Sequence, residues 1–140
     1  MNSKPELLAP AGNLERLKIA ISYGADAVYI GGKRFGLRAF ADNFDMNEIN
    51  KGVNFAHEKG KKVYVTMNIF ARNEDFAGME SYVQSLSRIG VDAIILSDPG
   101  VLTVAKNAAP DLKIHLSTQA NNTNWLSAQF WYKQGVDRII

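Results

Sequence analysis

One phrase recurs three times along the 140 residues: a glycine, a small or β-branched apolar residue, an aspartate and then an apolar run. It reads GADAVYI from Gly24, GVDAIIL from Gly90 and GVDRII from Gly135. Glycine supplies the left-handed conformation that closes a helix, and an uninterrupted apolar run suits a strand covered on both faces. Each copy therefore marks the passage from a helix into a buried strand. The first two copies are followed by more chain, whereas the third ends at Ile140 inside its strand, so the sequence reads as the N-terminal piece of a longer protein.

The rest of the chain repeats this alternation. Strands are expected in ELLAP from Glu6, DAVYIGG from Asp26, KVYVTMN from Lys62, DAIILSD from Asp92 and KIHLSTQ from Lys113, with another beginning at Asp137. These are β-rich runs bounded by turn residues. Between them, apolar residues recur at helical spacing: Leu14, Leu17 and Ile21; Ile49, Val53 and Ala56; Phe76, Met79, Val83 and Leu86. Asp45 precedes Glu48 at the capping-box spacing, and Asp98-Pro99 offers an N-cap followed by proline at the first helical position. Gly24, Gly60, Gly90 and Gly135 are expected to close helices.

Regular β-α alternation predicts a parallel sheet, either doubly wound or closed into a (β/α) barrel. The barrel fits better, because the turns entering strands are terse and those leaving them are long and polar. A complete barrel needs eight strands and roughly 250 residues. The fold expected is therefore α/β: a single domain, residues 1–140, forming about five βα units of a partial TIM-like barrel. Such a piece leaves a sheet edge open to self-association.

Composition excludes several classes. With 46% hydrophobic and 21% charged residues the chain resembles an ordinary globular domain. A net charge of +2 does not by itself argue for nucleic acid. There is no cysteine, hence neither a disulfide framework nor a thiolate metal site in these residues, and no metal site is expected. The start, MNSKPELLAPAG, has no signal-like apolar stretch, and no run approaches the roughly 20 apolar residues of a membrane span. The expected location is cytoplasmic.

In a barrel, chemistry sits on the loops after the strand C-termini. The loop after the second strand, GGKRFGLRAFADNF, interleaves Lys33, Arg34 and Arg38 with Phe35, Phe40 and Phe44. This mix suits a polyanion with stackable bases. It equally suits a solvated basic loop whose phenylalanines enter the core. Asn68 follows the third strand and Ser97 the fourth, while the fifth leads into a run of neutral donors and acceptors that includes Gln119 and Asn121. Such groups bind a polar, uncharged ring edge but do not titrate near neutral pH. Asn124 or Thr123 is expected to cap the next helix, and Trp125 and Trp131 to pack it. Asp98 and His115 are the candidate acid–base residues; the bland readings are a helix cap for Asp98 and a structural strand histidine for His115.

Together ELLAPAGN, YGADAVYIGG with FGLRA, GKKVYVTMN, SDPGV and IHLSTQANNTN with GVDRII resemble the N-terminal segment of the collagenase-like peptidase family U32. The resemblance covers essentially the whole chain. It implies the first part of a barrel-like domain in a longer protein. Members of the family are described as proteases of unassigned catalytic type. Others are implicated in RNA hydroxylation, including prephenate-dependent formation of 5-hydroxyuridine in tRNA and hydroxylation of a ribosomal RNA cytidine, and related proteins act in ubiquinone synthesis. The members implicated in hydroxylation resemble iron–sulfur proteins with four cysteines later in the chain. The resemblance thus implies tRNA modification by the full-length form, with tRNA or prephenate as partner, an iron–sulfur cluster outside this segment, and an isolated segment without activity of its own. Lys33, Arg34 and Arg38 would meet phosphate or a carboxylated co-substrate, and Asn68, Gln119 and Asn121 would orient the ring. The alternatives are a protease using Asp98 and His115, and a non-catalytic scaffold segment.

Overall fold

The computed structural model describes residues 4–37 and 43–140, so Arg38 and Phe40 lie outside the described residues. Six parallel strands pair in the order of the sequence. They are β1 (Leu8–Pro10), β2 (Ala27–Gly31), β3 (Lys62–Thr66), β4 (Ala93–Leu96), β5 (Lys113–Leu116) and β6 (Arg138–Ile139). A doubly wound sheet reverses its strand order at a switch point, and this one does not. The sheet is therefore the open arc of a barrel, as the terse and long turns imply.

Five α-helices alternate with the strands: α1 (Leu14–Ser22), α2 (Met46–Glu58), α3 (Met79–Ile89), α4 (Pro99–Ala108) and α5 (Trp125–Lys133). The expected caps form. Asp45 and Glu48 exchange the two bonds of a capping box at 2.8 and 2.9 Å, and Asp98 accepts from the Val101 N–H at 3.0 Å with Pro99 opening α4. Asn124 caps α5. Gly24, Gly60, Gly90 and Gly135 all have positive φ at the turns that leave helices.

The repeated phrase has a structural meaning that its residues alone did not disclose. Asp26 accepts from the Leu7 N–H at 2.9 Å, Asp92 from the Val63 N–H at 2.8 Å and Asp137 from the Ile114 N–H at 2.9 Å. Each aspartate stands at the entrance of an even-numbered strand and ties down the start of the odd-numbered strand beside it. A basic side chain accompanies each one: Lys61 at 2.8 Å, His57 at 2.9 Å and Lys113 at 3.0 Å. The repeat thus sets the register of β1 against β2, β3 against β4 and β5 against β6. Hydrogen bonds to charged acceptors are stronger than those to neutral ones, which favours this register over a slipped one.

Alternate strand residues point to opposite faces. Outward, Val28, Ile30, Val63, Val65, Ile94, Leu96, Ile114 and Leu116 are buried beneath the helices, which contribute Leu17, Ile21, Ile49, Val53, Val83 and Leu86. Phe76, grouped by spacing with α3, falls in the 3-10 turn Asn73–Phe76 that precedes it and is partly buried. Inward, Ala27, Tyr64, Ala93 and Ile95 form a second apolar layer with Leu8.

Helix α5 departs from the expectation of a packed helix. It has no buried residue; Trp131 packs against the core, but Trp125 is 71% exposed and Tyr132 74% exposed.

Candidate functional site at the strand exits

The concave face of the arc holds two layers of different character. The lower layer is ionic. Glu6, just before β1, accepts from the Tyr64 hydroxyl on β3 at 2.9 Å and from the Arg138 guanidinium on β6 at 2.6 Å, with Lys62 3.7 Å away. Burial works to raise the Glu6 pKa, but the bonds from Arg138 and Tyr64 outweigh it and hold the carboxyl below its usual value. Burial, seconded by the bond to Glu6, pushes Tyr64 up to about 12.

His115 lies against this layer. It is 5% exposed, its ring meets Tyr64 edge-on at 4.6 Å, and its Nδ1 has no hydrogen-bond partner among the described residues. Burial first, and then Arg138, bring its pKa down to about 4, so the ring is neutral at pH 7.

Above this floor, at the C-terminal ends of the strands, opens a cleft of about 950 Å³. Its walls combine the half-exposed ring of Tyr29 with Thr66, Asn68, Ser117, Thr118 and Gln119. Asn68 accepts from the Leu37 N–H at 3.2 Å through its carbonyl oxygen, which leaves its amide hydrogens as donors. The Ser117 hydroxyl accepts from the Gln119 N–H and so anchors the turn that carries Gln119. The arrangement offers neutral donors and acceptors around one aromatic ring, suited to a planar polar ligand.

Two of the residues singled out in the sequence, Asn68 and Gln119, are brought together here. Asn121 ends the 3-10 turn Thr118–Ala120 in the left-handed conformation, φ 51°, and is not among the described residues lining the cleft. Ser97 and Asp98 also lie outside that lining; Asp98 spends its carboxylate on the α4 cap. Lys33 pairs with Asp45 at 3.7 Å, and Arg34 donates to the Ala77 carbonyl at 3.0 Å while lying over the Phe35 ring.

Phe35 itself is buried with φ 63°, a strained conformation for a bulky residue, and packs edge-on against Tyr82 at 5.1 Å. The β2 exit is thus pinned onto α3, and Phe35 and Phe44 enter the core while Lys33 and Arg34 take partners from the fold.

Sequence reasoning missed Arg16 and Tyr29. Both line the cleft. Arg16 follows the short β1 exit, and Tyr29 is one inward-facing position within an apolar strand; only alternation along β2 would have singled it out.

The family model described as peptidase family U32 matches residues 12–140. The chain belongs to peptidase family U32. Among U32 relatives, it is 52% identical over its full length to tRNA hydroxylation protein P1 of Bacillus subtilis (strain 168) and covers 33% of that protein. It is 42% identical over 98% of its length to tRNA hydroxylation protein P of Escherichia coli (strain K12), covering 30% of it. The chain thus spans about a third of the length of the curated relatives it matches. A solved U32 peptidase superposes with a TM-score of 0.78 at 18% identity, over 99% of this chain and 59% of the other, which supports the barrel arc.

No group of three or more His, Cys, Asp or Glu among the described residues is placed to hold a metal ion. With no cysteine, the chain supplies no thiolate to an iron–sulfur cluster. Among the described residues, no helix is long and apolar enough to cross a membrane.

Proposed function

We propose that this chain is the N-terminal barrel segment of a U32 protein that takes part in tRNA modification, the hydroxylation of the wobble uridine. The observation that supports it most is 52% identity, over the full length of this chain, to a relative named as a tRNA hydroxylation protein. The cleft agrees with it in chemistry: a uracil edge presents carbonyl and N–H groups, which Asn68, Ser117 and Gln119 match, and Tyr29 offers a stacking face. In this reading Lys33, Arg34 and Arg38 meet phosphate, Asn121 and Ser97 extend the amide and hydroxyl surface, and a carboxylated co-substrate such as prephenate enters the same opening. Any iron–sulfur cluster takes its ligands from outside these residues, and the reaction is cytoplasmic, where tRNA is modified.

Proteolysis is less well supported. It would rest on Asp98 and His115, and these serve separate ends of the fold: one caps α4 and the other lies buried against Tyr64. Self-association through the open edge at β6 is a second property we propose for the isolated segment, supported by the exposed Trp125, Leu126 and Phe130 of the adjoining α5.

The test is nucleoside mass spectrometry of tRNA from cells with and without the full-length gene, in a background free of paralogues. Loss of 5-hydroxyuridine derivatives on deletion is expected; an unchanged profile overturns the reading.

A further inference from the structure

Of the described residues that line the cleft, Arg16 alone has a charged side chain, and the other side chains are apolar or neutral polar. Arg16 stands in the first turn of α1, where its backbone N–H donates to the Asn13 side chain that caps the helix. A cation there opposes the helix dipole, whose positive end is at the N-terminus, so local helix stability does not explain it. Its guanidinium lies folded over Gly12, close enough that an added Cβ would sit 3.5 Å from Nη1. No carboxylate of the described residues pairs with it, unlike Lys33, Lys61, Lys62, Lys113 and Arg138. The Ala11 N–H bonds to the Tyr29 carbonyl at 3.0 Å and holds the loop that carries Gly12 against β2, beside the ring that walls the cleft.

We propose that Arg16 is the anchor of an oxyanion subsite. The cleft takes a ligand that joins a carboxylate or a phosphate to an uncharged polar ring, with the oxyanion on Arg16 and the ring between Tyr29 and the amides of Asn68 and Gln119. A guanidinium stays charged at any working pH, and its planar fork meets either oxyanion in a bidentate fashion. Among the described lining residues, no acidic side chain competes for Arg16 or repels the ligand. The inference rests on the cleft being the functional site, as in the function proposed above, but not on the substrate being RNA.

The experiment is a titration of the isotopically labelled chain, followed through the backbone amides of Gly12, Thr118 and Gln119. Three probes share one ring: uridine, uridine 5′-monophosphate and orotate, a uracil bearing a carboxylate. Both anionic probes are expected to shift these amides. Arg16→Gln weakens them about ten-fold or more, as befits loss of a charge-assisted pair, and leaves uridine unchanged; Arg16→Lys retains part of the binding. Dependence on Arg16 for the monophosphate alone assigns the subsite to phosphate, and for orotate alone to carboxylate. Anionic probes that bind equally well to Arg16→Gln overturn the proposal, as does the absence of shifts at these amides. Binding of anionic probes without any of uridine keeps the oxyanion subsite and counts against the uracil reading of the cleft.

Discussion

Glu6 and Arg138 lie 132 positions apart and meet with Oε1 and Nη1 separated by 2.6 Å. One precedes the first strand and the other opens the last, so this contact spans the mouth of the arc. Tyr64, from the middle of the sheet, completes it by donating to the same carboxylate. The floor of the barrel is thereby tied together across its open side. Tyr64 is 1% exposed, and replacing it by phenylalanine deletes a part-buried hydrogen bond to a charged acceptor while preserving the ring against His115. Tyr64→Phe is expected to lose about 1–2 kcal/mol in urea unfolding. A midpoint equal to that of the parent would show that the floor does not hold the arc.

Stability should also depend on pH through two groups of opposite charge type. Burial, then Arg138, depress His115 to about 4 from 6.5, so the unfolded chain binds its proton first and stability falls as pH drops from about 6.5 to 4. Asp26, held down to about 2 by Lys61 and the Leu7 N–H, contributes stability above its ordinary pKa of 3.8 that is lost as pH falls toward 2. The urea midpoint measured against pH is expected to show both phases. His115→Gln flattens the upper one and Asp26→Asn the lower; a His115→Gln profile that keeps the slope above pH 4 contradicts the assignment.

The register aspartates make a graded prediction. Asp92→Ala removes the acceptor shared by the Val63 N–H and the His57 ring. It leaves a part-buried strand amide unsatisfied at the start of β3, and a loss of about 1–3 kcal/mol is expected. Hydrogen exchange should localise the loosening to the β3 and β4 amides, and a change confined to α2 would point instead to the His57 pairing.

Gly32 and Tyr82 form a steric pair. A methyl group on Gly32 would overlap the Tyr82 hydroxyl, which is buried and without a hydrogen-bond partner among the described residues. Gly32→Ala is expected to cost about 1–3 kcal/mol through overpacking. Tyr82→Phe removes an unpaired polar atom and should be close to neutral. Combining the two should recover part of the alanine penalty in thermal unfolding; strict additivity would mean that the hydroxyl is not the obstacle.

Gln119 tests the cleft in the full-length protein. Gln119 lines the cleft from the turn anchored by Ser117, and Gln119→Ala leaves that anchor intact because the bond uses the backbone N–H. A drop of roughly ten-fold in hydroxylated wobble uridine, with unchanged protein level, is expected from loss of one well-placed polar contact. Wild-type modification in that variant would remove Gln119 from the site.

The sequence by itself determined the order and kind of the elements. Periodicity and caps are local: Asp45 with Glu48, Asp98 with Pro99, and the glycines at positive φ act within a few residues, and each formed as its spacing implied. The barrel over the doubly wound sheet was likewise legible, because turn length reflects which end of the sheet is built for function. The cleft-lining amides Asn68 and Gln119 followed from that one rule.

What tertiary structure decided is everything that depends on which distant residues meet. The repeated aspartates looked like turn formers, yet their partners are backbone amides 19 to 29 positions away on neighbouring strands. Lys33 and Arg34 looked like free cations until the fold supplied Asp45 and the Ala77 carbonyl, while Arg16, unremarked in its helix, emerged as the one charged side chain among the described residues that line the cleft. A charge's role is set by its neighbours, and only the curved arc of the sheet brings those neighbours within reach.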